Sequence, residues 1–118
     1  MFSPAVIEHF KNPRNAGDLL DATAVVEVTN PVCGDILRLA VRAEGGRVMT
    51  ARFKTRGCVT AIACGSYVAE WLEGKMLEDV RKLTYEQIAE GLGGLPPATM
   101  HGAQLAQDAV TAFLAKLG

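Results

Sequence analysis

The chain has no surplus of either charge: across 118 residues, 12 lysines and arginines stand against 13 aspartates and glutamates. A strongly basic stripe, the footprint of a nucleic-acid binder or of a protein lying on an anionic membrane, is therefore missing, and nucleic acid is not an expected partner. Long hydrophobic runs are missing too. Charge or glycine interrupts every apolar stretch well short of the ~20 residues that a membrane span needs, so a soluble protein with no membrane partner is expected. The first residues lack the basic, long apolar pattern of a secretory signal. Cysteine is scarce: three residues, an odd number, not spaced as a disulfide framework, which points to a reducing, cytoplasmic setting. Repeats, low-complexity tracts and dividing linkers are absent as well. With 49% hydrophobic residues, the chain is expected to form one domain over residues 1–118 around one core.

What is present is a change of period along the chain. Ser3-Pro4 reads as an N-cap and a proline at the first helical position, with Val6, Ile7 and Phe10 on one face until Asn12-Pro13 stops the helix. Residues 23–29, 36–43 and 47–54 carry β-branched, alternating patterns, and Glu44-Gly45-Gly46 between the second and third is a hairpin turn. From Val59 to Leu72 the period turns helical, with Gly74 at a C-cap position. Thr84-Tyr85-Glu86-Gln87 fits a capping box for a helix that carries Ile88 and Leu92. Gly91, Gly93, Gly94, Pro96 and Pro97 then break the chain before a last helix, about 100–117, whose stripe of Leu105, Ala109, Val110 and Phe113 should pack on the sheet. The expected fold class is α+β: a three-stranded antiparallel sheet packed with helices.

Residues able to bind a soft metal lie at the joints between these elements. Cys33 and Asp35 flank Gly34 in a turn before the second strand, Cys58 follows Gly57 where the third strand gives way to a helix, and His101 begins the last helix after a double proline. Two thiols, an imidazole and a carboxylate suit zinc or an iron–sulfur cluster better than magnesium or calcium, which prefer oxygen. A buried cysteine in a bland turn, or a surface histidine, would look the same taken singly. Cys58, near a helix N-terminus with Lys54 and Arg56 nearby, is where thiolate should be favoured. His9 has only a bland reading. Cys64 lies six positions beyond Cys58, well round the helix axis, where packing among Ala61, Ala63 and Gly65 is its expected role.

With those residues in view, the chain resembles the NifU N-terminal domain and IscU family, scaffolds on which iron–sulfur clusters are assembled. The likeness rests on the run from Phe2 to Asn15, on Asn30-Pro31-Val32-Cys33-Gly34-Asp35, on Phe53-Lys54-Thr55-Arg56-Gly57-Cys58 and on Leu95-Pro96-Pro97. It implies a three-stranded antiparallel sheet with helices packed against it and a cluster or zinc site at one exposed end, formed here by Cys33, Asp35, Cys58 and His101. It implies further that Cys58 and Cys33 ligate metal or accept sulfur from a cysteine desulfurase, that Asp35 keeps the cluster labile, and that the protein is a platform rather than an enzyme.

One stretch departs from the family pattern. Where the family reads Val-Lys-Ile-His-Cys-Ser, this chain reads Ala98-Thr99-Met100-His101-Gly102-Ala103, so the third cysteine is replaced by Gly102 and the lysine by Thr99. The first change rules out the usual three-cysteine ligand set. The second argues against recognition by the specialised Hsp70 chaperone that binds this segment in IscU proteins. Cys64 is the one remaining thiol that could substitute as a ligand. The leading expectation is a scaffold or carrier that binds iron and a labile [2Fe-2S] cluster and transfers it to acceptor proteins. The alternative is a zinc-binding, assembly-defective variant that binds or modulates a desulfurase. An enzymatic reading with Cys58 as nucleophile, His101 as base and Asp35 as orienting group is compatible with the residues but finds no substrate pocket signalled in the sequence.

Overall fold

Ser3 opens the first helix as the sequence suggests: its hydroxyl accepts the Val6 N–H at 3.1 Å, Pro4 takes the first helical position, and α1 runs Pro4–Lys11. The computed structural model describes residues 2–117. After α1 come β1 (Ala24–Thr29), β2 (Ile36–Glu44) and β3 (Arg47–Arg56), paired antiparallel in the order β1-β2-β3. The hairpin turn joining β2 to β3 uses Gly45 and Gly46 at φ of 58° and 78°, the left-handed pair that a two-residue hairpin requires. Then follow α2 (Val59–Leu72), the short α3 (Leu77–Val80), α4 (Tyr85–Gly91), a 3₁₀ turn over Pro97–Thr99 and α5 (His101–Leu117). The capping box at Thr84 is formed in both directions with Gln87. Neither α3 nor the 3₁₀ turn is among the elements expected from the sequence; the turn is a single short one closed by Thr99 on the Pro96 carbonyl, and α3 is held by contacts distant in sequence. Met76, which caps α3, bridges to Arg47, and Leu77 N–H donates to the Gly46 carbonyl.

Helices cover one face of the sheet. Leu37, Leu39 and Val41 of β2 and Ala51 and Phe53 of β3 are buried against α2 and α5, where Val68, Leu72, Leu105 and Phe113 complete the core. Each large side chain withdrawn from water there contributes about 1.5–3 kcal/mol. The apolar period read on α2 proves to be only part of its buried surface. Thr60, Ala61, Ala63, Cys64, Gly65 and Ser66 are all buried as well, since α2 lies between β3, α1 and α5 and has little surface left for solvent. Small side chains are what permit that crowding: a β-carbon on Gly65 would fall 2.7 Å from the Phe53 ring. No helix among the described residues is long and apolar enough to cross a membrane.

His9, expected to be bland, is buried between α1 and α2. Its Nδ1 lies 2.7 Å from Ser66 Oγ, which also accepts the Arg14 N–H at 2.7 Å. A hydroxyl that already takes the Arg14 N–H can give its proton to Nδ1 only while the ring is neutral. Burial lowers the His9 pKa below the usual histidine value; Glu70 and Glu8 pull it up and Arg14 pushes it down, without reversing the sign. A histidine whose folded pKa is depressed supplies stability that is complete above its unfolded pKa, near 6.5, and is lost as pH falls toward the folded value. The thermal midpoint of the metal-free protein is therefore expected to fall between pH 7 and about pH 5, and His9→Gln to flatten that slope. Melting curves at fixed ionic strength check this, and an unchanged slope in His9→Gln would count against it.

Candidate metal centre

Three loops bring the predicted residues to one end of the sheet. The first is a tight turn. Asn30 Oδ1 accepts the Val32 N–H at 2.9 Å and the Cys33 N–H at 3.4 Å, while the Gly34 N–H donates to the Asn30 carbonyl at 2.8 Å. This is the Asx-type turn that Asn before proline favours, and Gly34, at φ 77°, supplies the left-handed step that puts Cys33 and Asp35 on the same side. The sequence signal for this role of Asn30 is its place directly before Pro31.

The second loop is the β3–α2 junction, where Cys58 occupies the N-cap position of α2. Asp35 lies close against it. A β-carbon on Gly57 would come within 2.5 Å of Asp35 Cγ, so glycine is needed there for the carboxylate to sit over the start of the helix. The third loop ends at His101, the first residue of α5.

The side chains meet. The Cys58 thiol donates to Asp35 Oδ2 at 3.2 Å, Cys58 Sγ is 3.5 Å from His101 Nε2, and His101 Nε2 is 3.9 Å from Asp35 Oδ2. Ligand atoms of Cys33, Asp35 and His101 all lie within 4.8 Å of one another. Around a tetrahedral zinc ion with bonds of ~2.0–2.3 Å, ligand atoms sit ~3.3–3.8 Å apart; those of Cys58, Asp35 and His101, 3.2–3.9 Å apart, lie near that spacing, and Cys33 joins Asp35 and His101 in the wider group. Cys33 and Cys58 are exposed. A cleft of about 520 Å³ beside Cys33, bounded by Pro31, Val32, His101, Gln104 and Asp108, leaves the centre open to solvent and to other molecules.

In the metal-free protein the Cys58 thiol behaves opposite to the expectation from its helix terminus. Partial burial raises its pKa, the backbone amides of Ala61 and Thr60 pull it down, and the Asp35 carboxylate pushes it up both as hydrogen-bond partner and as charge. The net shift is upward, so the carboxylate and the loss of water outweigh the helix end. A bound cation reverses this balance, because it attracts both thiolate and carboxylate.

Cys64 is fully buried in the core and outside the group of candidate ligands, with its thiol pushed up to about 12 by burial and by the charge of Cys58. Cys64→Ser is expected to leave zinc stoichiometry and cluster yield unchanged while costing about 1–3 kcal/mol for a hydroxyl placed in an apolar site. Metal analysis and a melting curve on the variant check both halves, and a lost metal site would make Cys64 a ligand.

The chain has relatives in sequence and in fold. The sequence profile described as NifU-like N terminal domain matches residues 1–117. The chain belongs to that family. Among its relatives, the iron-sulfur cluster assembly scaffold protein IscU of Haemophilus influenzae is 42% identical over 118 residues, covering 97% of this chain and 93% of the relative. The scaffold protein IscU 1 of Archaeoglobus fulgidus is 44% identical over 110 residues, covering 93% of this chain and 72% of the relative. The family fold is also found in the solved N-terminal structure of a NifU-like protein from Brucella abortus, with a TM-score of 0.81, 18% identity, and 98% and 92% of the two chains covered. The three-stranded antiparallel sheet with helices on one face is thus the fold that the sequence led one to expect.

Proposed function

We propose that this protein is a non-enzymatic scaffold on which an iron–sulfur cluster is assembled and from which it passes to acceptor proteins. The observation that carries the reading is that Asp35 and His101 lie against Cys58 and also group with Cys33, drawing donors from three separate loops to one open end of a NifU-like domain. The cluster is cargo here. Two thiolates hold iron firmly, while an imidazole nitrogen and a carboxylate oxygen bind it less tightly than sulfur does, which suits a [2Fe-2S] unit that must leave again. Iron and the sulfur delivered by a cysteine desulfurase would reach the site through the cleft beside Cys33, with Cys58 and Cys33 as the accepting thiols. Zinc fits the same four donors and is the alternative occupant.

Anaerobic incubation with ferrous iron and sulfide, followed by visible absorption, iron analysis and incubation with an apo-ferredoxin, tests the proposal. A coloured cluster that moves to the ferredoxin is the expected result. A colourless protein holding about one zinc per chain would replace the scaffold reading with that of a zinc-bound module.

A further inference from the structure

His101 reaches the metal centre from the first residue of α5, and the residue after it decides how near that helix can come. Gly102 is buried, and a β-carbon on it would fall 2.7 Å from Thr60 Cγ2, 3.0 Å from the Thr60 carbonyl carbon and 3.1 Å from the carbonyl oxygen. Thr60 is itself buried, two residues beyond Cys58 in the first turn of α2. The start of α5 therefore rests directly against the start of α2, with no side chain between the two backbones at position 102. Beside that contact, His101 Nε2 and Cys58 Sγ are 3.5 Å apart.

We propose that Gly102 is a positioning residue for His101: its lack of a side chain lets α5 close on Thr60 and so brings the imidazole into the ligand set with Cys33, Asp35 and Cys58. The inference deepens the metal-site reading above and rests on it. Position 102 then matters for the space left empty as well as for the thiol that other family members carry there. Any side chain at 102 must move the helices apart by on the order of 0.5–1 Å to reach ordinary contact distance. Metal–ligand bonds tolerate about 0.2 Å, so a shift of that size removes the imidazole from a site built around the other three donors.

Zinc titration against a chromophoric competing chelator, on the full chain, tests this. G102A is expected to bind zinc about 10–100-fold more weakly than the parent, the usual effect of disturbing a group that orients a ligand. In the His101→Ala background the same substitution should have no further effect, because the ligand it positions is gone. T60S, which removes the closest clashing atom but leaves the Thr60 carbonyl 3.0–3.1 Å away, should leave the parent's affinity unchanged and restore part of the affinity of G102A. Equal affinity in G102A and parent overturns the inference, as does a loss that persists undiminished in the His101→Ala background. Should G102A not fold, T60S/G102A takes its place: because the Thr60 carbonyl still crowds the new β-carbon, affinity weaker than the parent but stronger than that of His101→Ala is expected, and affinity equal to the parent overturns the proposal. A parent chain that binds no zinc removes the ligand set and this inference with it. A parent that binds zinc but assembles no cluster overturns the scaffold reading alone.

Discussion

Serine in place of Cys58 is expected to abolish cluster retention and to weaken zinc binding by more than about 100-fold, beyond the range seen when only an outer-sphere partner is lost. The sulfur stands between the other donors, 3.2 Å from Asp35 Oδ2 and 3.5 Å from His101 Nε2. An alcohol keeps the hydrogen bond to Asp35 but ionises far less readily than a thiol and offers a hard oxygen to an ion that prefers sulfur. The fold should survive, since Cys58 is exposed and makes no side-chain cap on α2. Reconstitution spectra and chelator competition give the answer, and a cluster yield within twofold of the parent would mean that the centre is built without Cys58.

The largest effect on stability should come from Phe113→Ala. Phe113 is fully buried on α5, the helix that packs against β1, β2, α2 and α4. Truncating a phenylalanine in such a position costs about 3–5 kcal/mol, a large part of the 5–15 kcal/mol that holds a domain of this size. The melting midpoint should fall by on the order of 15 °C. Because α5 also carries His101, excess zinc should recover part of the loss: ligands drawn from three loops exist as a set only in the folded chain, and saturation at 1,000 times the dissociation constant contributes about 4 kcal/mol. The recovery should vanish in Phe113→Ala/Cys58→Ser. A midpoint that zinc leaves unmoved in Phe113→Ala alone would show that metal binding and folding are uncoupled.

Features set by neighbours in sequence were legible before any coordinates. Ser3-Pro4, Gly45-Gly46 and the Thr84–Gln87 box each specify their own backbone, and all three form as read. The strands extend only slightly beyond their predicted limits, β2 by one residue and β3 by two. Cys33, Asp35, Cys58 and His101 could be named because turns and helix starts are where a chain presents donors; in the structure Cys33 groups with Asp35 and His101, and Cys58 lies against the same two. What the sequence concealed depends on chain segments meeting at a distance. His9 looks like any helical surface histidine until Ser66, 57 residues on, is placed against it. Gly102 reads as the loss of a cysteine until Thr60 is found where its β-carbon would be. The raised Cys58 pKa likewise follows first from partial burial of the thiol and then from Asp35 being folded over the helix start, neither of which a local rule supplies.

The outer edge of β3 is stoppered at two places. The Gly17 N–H donates to the Phe53 carbonyl at 2.9 Å and the Phe53 N–H to the Asn15 carbonyl at 3.0 Å, while near the hairpin Val48 exchanges hydrogen bonds with Gly74 and Lys75. An edge occupied at Val48 and again at Phe53 leaves only short stretches as a template for another copy of the chain. The other edge, β1, is six residues long, and Lys116 Nζ holds the Val25 carbonyl at 2.9 Å. A protein that keeps one end open to solvent to receive and release cargo, at whatever concentration a cell maintains it, is in this way guarded along its flanks against growing into fibrils.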